Sequence, residues 1–129
     1  TGFHAEYVLG QALGSGTTAV VKRAVRRSDS KAVAVKCIFS NEEERHQLVA
    51  EEYEILRSAQ HPSIVQSEAL HTCGCRLWMV MELCEDGNLQ SYVERRRPFE
   101  EHRALPLMQQ LLEGVNYLHQ RRIVHRDIK

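Results

Sequence analysis

The sequence lacks an excess of charge of either sign. Lysine plus arginine and aspartate plus glutamate each number 17, for a formal net charge of zero. That balance removes the long-range pull that draws basic chains to nucleic acid or anionic lipid, so no nucleic-acid partner is expected. No apolar run approaches the ~18 to 20 residues of a membrane helix, and the first residues lack a signal-peptide core. No membrane span is expected. Cysteine is scarce: Cys37, Cys73, Cys75 and Cys84 are too few and too irregularly spaced for a secreted disulfide framework. The expected setting is therefore a reducing intracellular compartment, most simply the cytoplasm. There is no internal repeat and no low-complexity linker, and 129 residues supply one small domain, not two. What is present, 43% hydrophobic and 26% charged residues, is the composition of an ordinary globular chain and names no function.

The order of patterns is more informative. Tyr7 to Leu13 and Ala19 to Val25 predict two strands around Gly14-Ser15-Gly16-Thr17-Thr18. After a polar turn, Ala32 to Phe39 predicts a third strand, apolar on both faces except for Lys36. Ser40 and Glu43 stand at capping-box spacing, with Ser40 as N-cap, and open a helix to about Ala59 that His61-Pro62 ends. Val65 to His71 and Leu77 to Leu83 predict a further strand pair across Thr72 to Arg76. Glu85-Asp86-Gly87 breaks the pattern, and a short helix follows from Leu89 to about Arg95. Ala104, Met108, Leu111, Leu112, Val115 and Leu118 form a helical stripe between Glu100 and Gln120. Pro106 implies that this helix starts near it or bends there.

Three places carry chemistry. Gly14-x-Gly16 joins two strands, and its backbone N–H groups are open to a phosphate, although the same turn also suits a plain hairpin. It is not a Walker loop, because no Gly-Lys-Ser/Thr follows and the turn enters a strand. Lys36 shares a strand face with Ala34 and Ile38, where it needs a counter-charge or must snorkel to water. In the next helix Leu48, Ile55, Leu56 and Ala59 mark the apolar stripe, and Glu52 falls within it. An inward lysine and an inward glutamate from adjacent elements make one buried ion pair, a poor stabiliser better explained by a task. Lastly, His125-Arg126-Asp127-Ile128-Lys129 sets a carboxylate beside cations after a long helix. That suits either a loop cap or a proton acceptor next to a phosphate.

Together these segments resemble the eukaryotic protein kinase family, serine/threonine branch, over nearly the whole chain. Leu13 to Val21 is similar to the Gly-rich loop, Val33-Ala34-Val35-Lys36 to the lysine strand, and Glu52 to the helix-C glutamate. His61-Pro62-Ser63-Ile64-Val65 and Met79 to Cys84 resemble the segments before the fourth strand and into the hinge. His125 to Lys129 resembles the opening of the catalytic loop. The resemblance implies an α+β fold: an N-lobe of five antiparallel strands plus helix C over residues 1–81, a hinge at 82–87, and the first helices of an incomplete C-lobe over 88–129. It implies ATP as cofactor and a protein substrate with a Ser or Thr acceptor. Leu13, Gly14, Ser15, Gly16, Thr17, Thr18 and Ala19 would cover the phosphates, and Lys36, held by Glu52, would grip them. Val21, Ala34 and Leu89 would enclose the adenine, with Met81 as gatekeeper and Glu82, Leu83 and Cys84 at its edge. Asp127 would accept the substrate proton and Lys129 would stabilise the phosphoryl group.

Departures from the family pattern are also legible. Ala19 replaces a third glycine, with only a methyl group added. Ser67 stands where a large apolar residue is usual, and is expected to leave a gap or hold a water. Asn88 replaces an acidic residue found in kinases that prefer basic substrates. His71, Cys73 and Cys75 lack structural-zinc spacing, so no metal is expected there. The usual Mg²⁺ ligands are absent from this chain. The 129 residues alone are therefore expected to be inactive, with the Met108 to Leu118 stripe left without packing partners. Two alternatives stay open: a non-catalytic, pseudokinase-like module that binds a partner, and a small-molecule phosphotransferase of related fold.

Overall fold

The computed structural model describes Gly2–His125. The strands are β1 (Tyr7–Ser15), β2 (Ala19–Arg26), β3 (Ala32–Phe39), β4 (Ser67–Cys73) and β5 (Arg76–Met81). The helices are α1 (Gly2–Glu6), α2 (Glu43–Ser58), α3 (Leu89–Arg95) and α4 (Glu101–Gln120). The strands form one five-stranded sheet of order β1-β2-β3-β5-β4, antiparallel throughout. This is the five-stranded antiparallel sheet expected from the sequence.

Strand β3 decides the architecture, because a strand apolar on both faces must be covered on both faces. Val33 and Val35 join Phe3, Tyr7, Ala24, Trp78 and Val80 in one buried cluster. Ile38 joins Leu77 and the helical Val49 in a second. Helix α2 thus covers one side of the sheet and the N-terminal segment covers the other. The N-terminal cover is a departure from expectation, since the sequence pattern predicts only strands before Arg26. Phe3 turns α1 onto the sheet: it is 1% exposed and lies stacked on Trp78 and Tyr7.

Two local expectations change for physical reasons. The Ser40 amide donates to the Cys75 carbonyl (2.8 Å), which ties Ser40 to the turn between β4 and β5. Its hydroxyl accepts from the Glu42 amide (3.1 Å), so Glu42, without a side-chain cap, becomes the residue before α2. Ser67, expected to leave a gap or hold a water, is 3% exposed, and its hydroxyl donates to the Tyr53 carbonyl of α2 at 3.0 Å. This bond links β4 to the helix that carries Glu52. Ser67→Ala is expected to destabilise the fold by about 1 kcal/mol, read as a lower denaturation midpoint at unchanged slope.

At the far corner of the sheet Arg26 chelates Asp29 and also reaches Glu68, which Lys31 contacts as well. The Arg26 hydrogen bonds, then that of the Lys31 amide, lower the Asp29 carboxyl to about 2. Pro106 neither starts nor ends α4. The helix begins at Glu101 and runs through it, with one backbone bond lost near its first turns.

The described chain divides into two units. One takes the residues up to Ala59 together with Val65–Cys84, and the other takes Gln60–Ile64 and the chain from Glu85 onward. In the second unit the Gln60 amide donates to the Tyr117 hydroxyl (2.9 Å). A Cβ at Gly114 would come within 3.2 Å of the Ser63 side chain. On α4, Met108, Leu111 and Leu112 are exposed, while Val115 and Leu118 are half-buried.

Candidate active site

Residues directly opposite each other in an antiparallel sheet share a face. Val21 stands opposite Lys36, and Lys36 opposite Met79; one step along, Ala34 stands opposite Met81. Val21, Ala34, Lys36 and Met81 therefore lie on one face. That face is the α2 side, because Lys36 Nζ reaches Glu52 Oε1 at 3.2 Å and Oε2 at 3.3 Å. The pair is not buried as the sequence pattern suggests: the side chains are 25% and 45% exposed. Water screens it, and such a pair contributes only ~0–1 kcal/mol to stability. It holds the ammonium in place without being needed for the fold.

The turn between β1 and β2 is closed by the Gly16 amide donating to the Ala19 carbonyl at 2.8 Å. A Cβ at Gly14 would meet nothing within 4 Å, and its φ lies outside the left-handed region. Neither packing nor backbone conformation within the chain demands glycine there. Leu13, Ser15, Gly16, Thr17 and Thr18 are exposed, and Ala19 packs on the cluster of Ile38, Val49 and Leu77. Arg45 of α2 donates Nη2 to Thr18 Oγ1 at 3.0 Å. In the sequence alone the one mark on Arg45 is its place seven residues before Glu52, which sets both on one helix stripe.

After β5, the Glu82 amide donates to the Gln66 carbonyl (2.9 Å), and the Glu82 carboxylate accepts from the Gln66 amide (3.3 Å). Glu82 can therefore offer a ligand its carbonyl but not its N–H. Leu83 is half-buried. Cys84 is exposed at the surface, yet partial burial of its sulfur, then the Glu82 carboxylate, push its thiol up. Leu89 opens α3 in the second unit. Asn88 is the cap of that helix, its Oδ1 accepting from the Ser91 amide at 2.8 Å. Arg95 donates to the carbonyl of Asp86, in the loop before α3 (2.9 Å), and Arg96 stacks on Tyr92 of that helix. Asp127 and Lys129 lie outside the described residues. Among the described residues no three His, Cys, Asp or Glu side chains gather as a metal site, and no helix is long and apolar enough to cross a membrane. All four cysteines are free.

A family model described as protein kinase domain matches residues 7–129. Sperm motility kinase 3A of Mus musculus is 36% identical over 128 residues, covering 99% of this chain and 25% of that protein. Serine/threonine-protein kinase pak-2 of Caenorhabditis elegans is 38% identical over 117 residues, 91% of this chain and 22% of that protein. Serine/threonine-protein kinase 33 of Bos taurus is 34% identical over 127 residues, 95% and 26% respectively. The chain spans about a quarter of the length of these curated relatives.

Proposed function

Because the chain belongs to the protein kinase family, we propose that it is the ATP-gripping part of a serine/threonine kinase acting on protein substrates in the cytoplasm. The observation that carries this reading is the Lys36–Glu52 pair, set on the same sheet face as Val21, Ala34 and Met81. Family membership in general brings the use of ATP and Mg²⁺, and the residues present fit the nucleotide. Gly14 leaves a space that no side chain fills, so backbone N–H groups can approach phosphate oxygens. The Lys36 ammonium, oriented by Glu52, grips the phosphates as a point charge. Val21, Ala34 and Met81 are the apolar residues that the sheet supplies for the adenine. The Glu82 carbonyl and the Cys84 backbone serve its polar edge. For Mg²⁺ the described residues gather no ligand set, so no step is assigned to it.

In this reading residues 1–81 form the N-lobe, 82–87 the hinge and 88–129 the start of the C-lobe. Asp127 takes the proton of the acceptor hydroxyl, and Lys129 stabilises the transferring phosphoryl group. The test is incubation of the full-length protein with γ-labelled ATP and mixed peptide acceptors, followed by phosphoamino-acid analysis. Label in phosphoserine and phosphothreonine is expected. Label confined to phosphotyrosine would reject the serine/threonine assignment. A folded protein that transfers none would be a non-catalytic binding module instead.

A further inference from the structure

Helix α2 touches the loop between β1 and β2 as well as Lys36. Arg45, in its first turn, donates to the Thr18 hydroxyl at the exposed loop tip (3.0 Å). One turn on, Val49 is buried with Ile38 and Leu77, and Ala19 packs on that cluster. Glu52, the next residue of the same stripe, holds Lys36. The spacing i, i+4, i+7 thus brings one helix face against the loop tip, the start of the returning strand and the lysine.

We propose that Arg45 is a positioning residue that tethers the Gly-rich loop to the helix holding Lys36; this rests on the kinase reading above. One rigid element then sets both the backbone that covers the phosphates and the ammonium that grips them. A cation in the first turn of a helix works against the helix dipole, and Glu43 and Glu44 already supply the favourable charge there. The dipole therefore does not account for Arg45, whereas its contact with Thr18 does. Its Nε is buried without a hydrogen-bond partner, so the guanidinium is held against the protein and is not simply solvated. A loop ordered before the nucleotide arrives loses less conformational entropy on binding, so the tether acts on ATP affinity.

The test is a double-mutant cycle in the full-length protein with Arg45→Ala and Thr18→Val, the latter keeping the shape of threonine without its hydroxyl. Each single change is expected to raise KM for ATP about 3- to 10-fold, more than it lowers kcat. The double variant should do no worse than the stronger single one, because both remove the same contact. Arg45→Lys, which keeps a donor, should recover most of the lost affinity. In the nucleotide-free protein Arg45→Ala should speed amide exchange across Gly14–Ala19 at an unchanged melting temperature. Additive effects, or an active protein whose KM ignores both substitutions, would overturn the tether alone. A folded wild-type protein that binds no ATP would overturn the kinase reading and the tether with it.

Discussion

Replacing Lys36 with methionine in the full-length protein is expected to cut ATP-dependent phosphoryl transfer by about 10²-fold or more, while the melting temperature hardly moves. The two halves of this expectation come from the same contact. The Lys36 ammonium lies 3.2 and 3.3 Å from the two Glu52 oxygens, on the face shared by Val21, Ala34 and Met81. Methionine keeps the unbranched stem and its packing but removes the charge that would meet the phosphates. The fold tolerates this because the pair is part-exposed and contributes only ~0–1 kcal/mol. Glu52→Gln should be milder, since an amide can still accept from the ammonium. Labelled-ATP transfer beside thermal melting separates the cases. Undiminished transfer would remove Lys36 from the site, and a collapsed melting curve would make its role structural.

The largest effect on stability belongs to a residue far from that chemistry. Phe3→Ala is expected to destabilise the fold by about 3–5 kcal/mol. Phe3 is 1% exposed, with ring centroids 5.0 Å from Trp78 and 5.2 Å from Tyr7, both stacked, and the His71 ring edge-on at 5.7 Å. Truncation removes the transfer free energy of a whole ring and leaves a cavity between two rigid aromatic side chains. Against a typical domain stability of about 5–15 kcal/mol this is a large fraction. Urea unfolding followed through Trp78, the single tryptophan of this chain, reads both the midpoint and the exposure of the indole. A shift worth less than about 1 kcal/mol would show that α1 is not docked on the sheet.

Strand alternation and helix periodicity are local properties, and what they govern was legible. The period of β3 puts Lys36 with Ala34, and the period of α2 puts Glu52 on the sheet side, so their pairing could be read without coordinates. Its solvent exposure could not be, because the open edge of the site depends on what does not pack there. Short elements set by distant partners were also illegible. Helix α1 has five residues and no periodicity of its own, and partners distant in sequence, Val33, Val35, Trp78 and Val80, help make Phe3 a core residue. Ser40 has the right spacing for a cap, but the bond its amide donates to the Cys75 carbonyl decides where it sits. Ser67 was recognisable as an unusual hydroxyl, yet nothing near it in sequence marks the Tyr53 carbonyl as its acceptor. Asp127 and Lys129, which carry the transfer step in the proposed function, are known here from their motif alone.

The assignment of Gln60–Ile64 to the second unit has a consequence for dissecting the protein. The polypeptide passes between the units three times, after Ala59, after Ile64 and after Cys84. A single cut following Cys84 therefore does not release the sheet and α2 as a self-contained piece. The excised segment would carry Gln60 without the Tyr117 hydroxyl and Ser63 without the flat surface of Gly114. The two units are interleaved along the chain, so neither corresponds to one uninterrupted stretch of sequence.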